Sequence, residues 1–467
     1  MRGILSWSAY LPYRRLDRTQ IAPFVGQGGG KGTRTVASFD EDPTTMAVEA
    51  ARLALRDRDL TPAQLLFATS FPAYADRTNA TAIHAALRLA DTAPAFDLGA
   101  SVRSAVGALL LGLTGNGDAT LVVAGDVRTG LPGSGEEAAG GDAAAAFVVG
   151  SDEGGSLLAE LVGSASVTDE FVDRWRAPGE TRTKVWDDKF SEISYLPLGV
   201  QAWNAALAQA GLTASDVAAA AVVAASQRVA RTVGGKLDGV HVIDDLSAVV
   251  GNAGAAQPGL LLASLLEQAE PGQVVALVVL ADGADVLLFR TTDALGSYRP
   301  ARPISAQVTE GAPLPYGKFL AWRGMLPVEP PRRPEPQRVS ATAAARSEEW
   351  KFGFVGSKER DTGVVHLPPA RVSRDGAHTD EMDPAPLADA QGTIVTFTID
   401  RMVYSPSPPV VFAVVDFDGG GRLPVELTDA DADEIEIGQR VEMTFRRLFA
   451  SDGIVNYFWK GRLVRDG

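Results

Sequence analysis

Apolar positions along the first part of the chain follow two different periods. Short runs that are almost wholly apolar, such as LLFATS and VVALVVL, predict buried β-strands. Between such runs, apolar residues return at helical spacing, as in TTMAVEAARLALRD from Thr44 to Asp57, where Thr44 is suited to cap the helix. The alternation appears again later, with a helix from Gln201 to Ala210 followed by the strand VAAAAVVAAS. The pattern predicts an α/β domain made of two similar halves.

The stretch FDLGASVRSAVGALLLGL, from Phe96 to Leu113, predicts a corner at which a buried strand turns into a helix. Gly99 and Ala100 supply the tight turn, and the small residues after it let one backbone approach another closely. Such a corner directs its turn residues and the positive end of the helix dipole at a ligand. We therefore expect this corner to be the centre of the first domain.

The pattern changes after Tyr298. Proline is dense from there to Arg338, which predicts an extended linker. Beyond the linker, segments such as GTIVTFTID and IGQRVEMTFRRLF alternate apolar and polar residues between Gly-rich turns and predict a β-barrel. The sequence thus predicts an α/β domain over residues 1–297, a linker and tail over 298–345, and a second domain over 346–467.

Composition narrows the possible partners. A chain of 467 residues can bury two cores, and its N-terminus is too short in apolar residues to resemble a signal peptide. With no apolar run of roughly 18 residues, we expect a soluble, cytoplasmic protein with no membrane partner. The net charge of -15 disfavours nucleic acid, and a polyanionic ligand would need a local basic patch. Cysteine is absent, which excludes disulfides and thiolate metal sites.

The corner resembles the nucleophile corner of ketoacyl synthase III and of 3-hydroxy-3-methylglutaryl-CoA (HMG-CoA) synthase, two families of the thiolase superfamily. Aligning Asp97 and the Ala-Leu pair of the helix puts Val102 at the position of the acyl-accepting cysteine. Ser101 and Ser104 are the nearest hydroxyls, and both residue types are common at the start of a helix. The resemblance implies the five-layered αβαβα thiolase fold, a coenzyme A (CoA) thioester as ligand or substrate, and no other cofactor.

The other catalytic positions of these families also fall on altered residues. VGNAGAAQPGLLLASLL resembles the asparagine motif and places Asn252 at the catalytic Asn. The family's catalytic histidine falls on Ser226, and the general acid glutamate of HMG-CoA synthases falls on Ser70. Only Asn252 is retained, so the Cys-His-Glu machinery is missing.

Two more segments carry the resemblance. GGDAAAAFVVGS resembles the stretch that closes the first half of ketoacyl synthase III, and we expect its Asp142 to be structural. The aromatic residues from Gly163 to Tyr195 occupy a region that shapes the pantetheine and acyl tunnel in related families. Packing of a long loop explains those aromatics equally well.

The last domain resembles acyl-CoA-associated OB-fold proteins that begin with a zinc ribbon. GSKERDTGVVHLPPARVSRDG has the ribbon's Gly-Ser-Lys and Pro-Pro landmarks. The positions of the four ribbon cysteines correspond to Glu359, Thr362, Val372 and Asp375. A tetrahedral zinc site needs thiolate or imidazole ligands, and His366 and His378 look too isolated to supply them, so we expect no metal.

Two classes of function fit the sequence. In the first, the chain is a non-catalytic partner or scaffold of a thiolase-type acyl-CoA complex, paired with a thiolase-like subunit or with itself. In the second, it is an enzyme of carbon-carbon bond chemistry that needs no cysteine, either a retro-aldol lyase with Tyr74 as a possible base or an acyltransferase. The sequence favours the non-catalytic partner, because no acid-base pair positioned for catalysis can be identified in it.

Overall fold

The computed structural model describes residues 1–115 and 117–465. It divides into two compact units. Most of the α/β part forms unit 1, which comprises Met1–Ala37, Asp42–Thr81 and Leu89–Leu320. Unit 2 comprises Ser38–Glu41, Ala82–Arg88 and the chain from Ala321 onward.

Unit 1 is built on a ten-stranded mixed sheet of order β12-β11-β13-β14-β8-β1-β7-β6-β4-β5, and β15-β2-β3 form a small second sheet. The strands up to residue 313 are β1 Arg2–Tyr10, β2 Arg14–Asp17, β3 Thr33–Val36, β4 Gln64–Thr69, β5 Ala95–Gly99, β6 Thr120–Asp126, β7 Ala143–Ser151, β8 Ala159–Val167, β9 Arg174–Trp175, β10 Lys184–Val185, β11 Val217–Ala224, β12 His241–Val242, β13 Val274–Leu280, β14 Ala284–Thr291 and β15 Ala312–Pro313.

The helices of the first 322 residues alternate with these strands. They are α1 Ile21–Val25, α2 Pro43–Leu55, α3 Ala80–Leu87, α4 Arg103–Thr114, α5 Gly135–Ala139, α6 Asp188–Ala210, α7 Gln227–Gly234, α8 Gln257–Gln268, α9 Asp293–Ser297, α10 Ile304–Thr309 and α11 Tyr316–Trp322. In the described part of the chain, no helix combines the length and the apolar character needed to cross a bilayer.

The two halves of the large sheet repeat one topology. β1-β7-β6-β4-β5 and β8-β14-β13-β11-β12 follow the same order when each half is numbered from its own first strand. The halves join where Gly3 pairs with Glu160 and Ile4 with Ala159. One apolar core contains residues of α4 and α8, and another contains residues of α6 and α7 against β11, β13 and β14. The predicted α/β domain with two similar halves is therefore confirmed.

The segment after Tyr298 differs from the sequence expectation of an extended linker beginning at residue 298. Residues 298–320 belong to unit 1 and include α10, β15 and most of α11. Tyr298 and Phe319 are buried, and the Tyr298 hydroxyl donates to the Trp7 carbonyl at 2.6 Å. Pro300, Pro303, Pro313 and Pro315 lie between these anchors and mark breaks between short packed elements. The later prolines lie in residues 323–340, which form no helix or strand and are mostly exposed. The packed part of the segment therefore extends to residue 320.

Unit 2 contains a closed barrel of order β19-β20-β21-β23-β22 and a three-stranded sheet of order β17-β16-β18. The elements are α12 Ala341–Arg346, α13 Glu348–Lys351, β16 Val355–Glu359, β17 Val365–His366, β18 Met382–Pro386, β19 Gln391–Asp400, β20 Val410–Phe417, β21 Arg422–Leu427, β22 Arg440–Ser451 and β23 Ile454–Leu463. Alternating burial along β20 and β21 matches the alternating sequence pattern, because side chains of a strand point to opposite faces. The predicted β-barrel is confirmed.

Hydrogen bonds hold together the loops of the three-stranded sheet. The buried carboxylate of Glu359 accepts from the Thr362 hydroxyl and from the Arg374 backbone N–H at 2.8 Å, and it contacts the His366 ring. Asp375 accepts from the Ser373 hydroxyl at 2.6 Å. The pKa of Glu359 lies below its ordinary value, and the hydrogen bond from the Thr362 hydroxyl is the largest cause. One carboxylate therefore links two loops of the chain.

Replacing Glu359 by alanine is expected to lower the melting temperature of the OB-fold unit by several degrees, because two loops lose their shared acceptor. Since the pKa of Glu359 is lowered in the folded chain, its stabilisation is present above the ordinary carboxyl pKa and is lost as pH falls through the folded value. Thermal unfolding of the full chain at several pH values checks both points. Glu436→Ala, which removes an exposed carboxylate elsewhere in the same unit, is the control. A variant that melts like the parent would contradict this role.

His378 has neighbours that its position in the sequence did not reveal. Single ligand atoms of Asp361, His378 and Glu381 lie within 4.8 Å of one another. His378 Nδ1 is 3.0 Å from a Glu381 oxygen, and Nε2 is 3.4 Å from an Asp361 oxygen. Both acids are exposed, and such ion pairs form without a metal. That the purified chain carries no stoichiometric zinc stays a prediction, which metal analysis tests.

Candidate functional site

Unit 1 contains a cavity of about 910 Å³, which is within the usual size of a site for a small molecule or cofactor. Its walls come from the loop around α5, the segment 173–188, the first turns of α6, the end of β11 with α7, and the loop before α8. Residues from both halves of the unit thus surround one cavity. Asn252 and Ser226, two of the positions predicted from sequence, lie in its wall.

Asn252 is fixed by its own loop. Its amide Nδ2 donates to the Ala224 carbonyl at 2.9 Å, and its Oδ1 accepts from the Gly254 N–H at 3.0 Å. Gly254 has φ +57°, and a Cβ there would lie 2.2 Å from an Asp126 oxygen, so the turn requires glycine. An amide NH₂ has two hydrogens, and the bond to Ala224 uses one. The other has no acceptor among the described residues.

Ser226 lies where β11 ends and α7 begins. It is the N-cap residue of α7 and makes no side-chain capping bond. A serine hydroxyl has no basic site that titrates near neutral pH, so Ser226 cannot act as the histidine of related families does. The structure therefore brings Ser226 and Asn252 to one cavity but places no base at the position of Ser226.

Ser70 is engaged in a buried network and lies outside the described residues that line the cavity. Its hydroxyl donates to the Asp126 carboxylate at 2.5 Å and its N–H donates to the other oxygen at 2.8 Å. The same carboxylate accepts from the Thr69 hydroxyl at 2.9 Å and from the Ala255 N–H at 2.8 Å. Ser70 thus helps to hold Asp126 against the loop that follows Asn252.

The predicted nucleophile corner also lies outside the set of described residues that line the cavity. Val102 is the N-cap residue of α4, and it has no side-chain atom that could cap the helix or attack a thioester. The Ser104 hydroxyl donates to the Gly99 carbonyl at 2.8 Å, so its proton is already used. Ser101 is half-buried beside them. The expectation that the first domain is centred on this corner is not matched by the position of the cavity.

Tyr74, the base suggested for a lyase, is placed elsewhere. Its backbone N–H donates to the Asn79 side chain at 3.0 Å, and Asn79 returns a bond to the Tyr74 carbonyl at 3.0 Å. The Arg77 guanidinium lies 5.3 Å from the centre of its ring. Tyr74 is outside the set of described residues that line the cavity, and the structure therefore does not join it to Asn252 or Ser226.

A group that sequence reasoning missed lies in the cavity wall: Asp173, Ser191 and Tyr195. Asp173 precedes the hairpin of β9 and β10, which is closed by the Trp186 N–H donating to the Asp173 carbonyl at 2.7 Å. Ser191 and Tyr195 are four residues apart on α6 and so share one face of that helix. Their hydroxyls lie 3.2 Å and 3.5 Å from the Asp173 oxygens.

The environment of Asp173 favours its neutral form. The side chains of Asp173, Ser191 and Tyr195 are all at least 95% buried, at 4%, 3% and 4% exposure. Burial raises the pKa of Asp173, while the Ser191 hydroxyl and the nearby charge of Arg174 lower it in part. Burial also raises the pKa of Tyr195, and the negative charge of Asp173 adds to that effect. Tyr195 therefore stays protonated near neutral pH and can donate to the carboxylate.

The signal for this group in the sequence was weak. Aromatic residues such as Phe171 and Phe190 drew attention to the segment from Gly163 to Tyr195, for which a tunnel wall and the packing of a long loop were equally good explanations. Both rings indeed pack near Tyr195: Phe171 contacts the Tyr195 ring at a centroid distance of 4.9 Å and the Phe190 ring at 6.0 Å. No periodic pattern in the sequence distinguished Asp173 from its neighbours.

Basic side chains gather on the hairpin and on α7. Arg182 and Lys184 lie on the hairpin, while Arg228 and Arg231 lie on α7, and all four line the cavity. Lys184 pairs with Glu180 at 3.5 Å and Arg228 with Glu192 at 2.6 Å. In the described part of the chain, the exposed Arg182 and Arg231 have no carboxylate partner. We call these two cavity-lining arginines the basic patch of a chain whose net charge is -15.

Three of the acids that line the same cavity are engaged by other groups. Glu136 accepts from Arg174 at 2.9 Å and from Arg128 at 3.3 Å. Asp187 caps α6 by accepting from the Lys189 and Phe190 N–H groups, and Asp245 accepts from the Ser247 N–H at 3.0 Å. Of these three acids only Glu136 is paired with arginines, and the exposed Asp188 also lines the cavity. Arg182 and Arg231 remain the cavity-lining cations without a carboxylate partner in the described part of the chain.

Comparisons with known proteins agree with this architecture. The chain is 27% identical over 349 residues to hydroxymethylglutaryl-CoA synthase of Aeropyrum pernix, covering 70% of this chain and 95% of that protein. It is 28% identical over 314 residues to the enzyme of the same name from Methanosphaera stadtmanae, covering 62% and 88%. Residues 385–446 match the family described as ChsH2, C-terminal OB-fold domain. The chain combines a domain similar to HMG-CoA synthases with an OB-fold domain.

Solved structures show the same fold for the thiolase-like domain. A crystal structure of an HMG-CoA synthase complexed with CoA superposes with a TM-score of 0.56 at 17% identity, covering 68% of this chain and 89% of that one. The 3-oxoacyl-(acyl carrier protein) synthase III of Pseudomonas aeruginosa gives a TM-score of 0.53 at 24% identity, covering 62% and 98%. The thiolase fold and the OB-fold barrel predicted from sequence are confirmed.

Proposed function

We propose that the cavity of the thiolase-like domain binds an acyl-CoA thioester without forming a covalent acyl-enzyme. The similarity to HMG-CoA synthases supports CoA as the ligand class, and one of the similar structures is an HMG-CoA synthase complexed with CoA. The volume of about 910 Å³ is large enough for much of such a ligand. A covalent step is left out because the chain has no cysteine and Val102 occupies the predicted nucleophile position.

The basic patch is the observation that carries this proposal. CoA bears several phosphate charges, and an acidic protein repels it unless arginine or lysine is concentrated at the entrance. Arg182 and Arg231 supply two guanidinium groups, which bind phosphate oxygens through paired N–H donors. With the phosphates held there, the thioester end of the ligand would extend along the cavity wall that carries Asn252 and Ser226.

Replacing both Arg182 and Arg231 by alanine is expected to weaken acetyl-CoA binding roughly tenfold, because each phosphate loses a charge-assisted partner. Calorimetry on the full chain measures the dissociation constant at two salt concentrations. The parent should bind more weakly at high salt, and the double variant should show a smaller salt effect. S-acetylpantetheine, which lacks the phosphates, should bind parent and variant alike.

The matched control is Arg290→Ala, which removes an exposed arginine of β14 in the same domain. Its affinity for acetyl-CoA should equal that of the parent. Absence of acetyl-CoA binding by the folded parent protein would contradict the proposed function, and equal weakening in Arg290→Ala would contradict the assignment of the patch.

The role in the cell is proposed as that of a partner subunit in a thiolase-type acyl-CoA complex, through a thiolase-like subunit or a second copy of this chain. This chain contains a domain similar to an OB-fold family and a domain similar to HMG-CoA synthases. Their presence in one chain supports the proposal that both domains act on one acyl-CoA. Co-purification from the native host is expected to recover a thiolase-like protein or a homodimer. A monomer at micromolar concentration with no bound partner would contradict this role.

The second class of function, a cysteine-independent enzyme of carbon-carbon bond chemistry, is favoured by one observation. Such an enzyme needs a positioned acid-base group near the thioester, and Asp173 with Tyr195 lies in the same cavity wall as Asn252. Tyr74, the base first considered for a retro-aldol lyase, lies elsewhere. An acyltransferase would in addition need a nucleophile, and Ser226 has no base of its own.

A further inference from the structure

We propose that Asp173 is a proton-transfer residue that removes and returns a proton at the carbon next to the thioester carbonyl of an acyl-CoA bound in the cavity. This inference rests on the proposed function, because it needs acyl-CoA to bind there. It assigns a chemical role to a group that lies far along the chain from the corner and from Asn252. The substrate class is an acyl-CoA with at least one hydrogen on C2.

The side-chain oxygens of Asp173 accept few and long hydrogen bonds for a buried carboxylate. A buried carboxylate is costly unless it accepts several strong hydrogen bonds. In the described part of the chain two neutral hydroxyls lie 3.2 Å and 3.5 Å from its side-chain oxygens, and the second distance is at the limit of a hydrogen bond. Its own backbone N–H also contributes, while the Ser191 hydroxyl shares its proton with the Asp187 carbonyl at 3.2 Å. By comparison, Asp126 accepts four bonds of 2.5 to 2.9 Å. The difference points to a functional use of Asp173.

The groups around Asp173 suit a base. A carboxyl in a dry site has a raised pKa, which makes its ionised form a stronger base than a carboxylate in water. The charged groups that act on it are Arg174, which lowers the pKa, and Asp282, which raises it. The Tyr195 hydroxyl also accepts from the Asp282 N–H at 3.2 Å, which fixes the direction of its own proton toward Asp173. Ser191 and Tyr195 are positioning residues in this scheme.

The step balances without an added reactant. The C2–H bond breaks, and the proton forms an O–H bond with the Asp173 carboxylate. The electron pair of the C2–H bond moves into the C1–C2 bond, and charge develops on the thioester oxygen. The second hydrogen of the Asn252 amide is the donor for that oxygen, as in an oxyanion site. Return of a proton from Asp173 to C2 regenerates the thioester, so nothing is oxidised or reduced.

Exchange of hydrogen for deuterium at C2 of acetyl-CoA in D₂O tests the step directly. Proton NMR of the methyl signal and mass spectrometry of acetyl-CoA measure it, with calorimetry of acetyl-CoA binding as a parallel readout. The full-length parent protein should catalyse exchange well above the buffer rate. Asp173→Asn should lower the rate by about 100- to 10,000-fold, the usual range for loss of a general base, with acetyl-CoA binding retained.

Two further variants separate catalysis from folding. Ser191→Ala removes a donor that lowers the Asp173 pKa, so exchange should persist while the midpoint of its pH profile moves upward. Glu170→Gln removes an exposed carboxylate three residues away and should exchange like the parent. Thermal unfolding of each variant reports whether it folds. If Asp173→Asn does not fold, the pH shift in Ser191→Ala decides, and an unshifted profile overturns the proposal.

The failures of the two proposals give different results. Acetyl-CoA binding with no exchange above the buffer rate would overturn the role of Asp173 and leave the binding function standing. Exchange that survives in a folded Asp173→Asn variant would also overturn it. No binding of acetyl-CoA by the folded parent would instead overturn the proposed function, and the inference with it.

Discussion

Asp142→Ala is expected to destabilise the thiolase-like domain by about 3–5 kcal/mol, the range for removing one partner of a buried ion pair. Asp142 and Arg34 are both fully buried, and their nearest atoms are 3.3 Å apart. The Asp142 carboxylate also accepts from the Ala37 N–H at 2.7 Å and the Arg128 N–H at 2.8 Å. Its loss leaves two backbone donors and one guanidinium without that acceptor.

The position of Asp142 explains the size of the effect. It directly precedes β7, a strand in the middle of the large sheet, and Arg34 lies on β3. Arg34 also donates to the Glu137 carbonyl at 2.6 Å and to the Arg128 carbonyl at 2.8 Å. The pair therefore joins the small sheet, the start of β7 and the loop around α5, which forms one wall of the cavity.

Chemical denaturation of the full chain, followed by circular dichroism, measures this change. The control is Glu153→Ala, which removes an exposed carboxylate after β7 and should change stability by less than about 0.5 kcal/mol. Replacing Asp142 and Arg34 together by apolar residues should cost less than Asp142→Ala alone, because no charge is then left buried without its partner. A single variant as stable as the control would show that Asp142 is not structural.

The alternation of strands and helices could be predicted from sequence because burial imposes a period. β4 and β13 are almost wholly buried, and α2 follows the capped helical pattern that was expected, although Asp42 rather than Thr44 is its N-cap residue. The end of the first domain could not be predicted. Proline from Tyr298 onward predicted an extended linker, and only tertiary contacts such as those of Tyr298 and Phe319 determine that residues 298–320 pack into unit 1.

The site could be predicted in part. Asn252 and Ser226 were identified because their motifs are contiguous, and the structure brings both to one cavity. Asp173 could not be identified in this way. Its environment arises from a hairpin and from one face of the following helix α6, and no contiguous motif joins the two. The corner around Val102 was expected to be the centre of the first domain because it resembles a known motif. Such a resemblance does not determine which residues line a cavity.

The second large effect concerns covalent chemistry: the chain alone should not become acylated when incubated with acetyl-CoA. Transfer to a hydroxyl at neutral pH needs a base, and such assistance is typically worth about 100- to 10,000-fold. Ser104 already donates its proton to the Gly99 carbonyl, and Ser101 and Ser104 lie outside the set of described residues that line the cavity. Intact-mass spectrometry should show the unmodified mass. A stable adduct on the peptide that contains Ser101 and Ser104 would contradict this prediction and support the acyltransferase hypothesis.

Val102→Cys should not rescue condensation. A thiol there would stand at the N-terminus of α4, where the helix dipole favours thiolate, but the histidine position holds Ser226 and no base follows from the substitution. An acyl group transferred to this cysteine would therefore stay bound to it, and the variant would not turn over acetyl-CoA. Mass spectrometry reports the adduct, and release of free CoA reports turnover. Turnover by this single variant would show that the base position has been assigned to the wrong residue, and Asp173 would be the first candidate to test beside it.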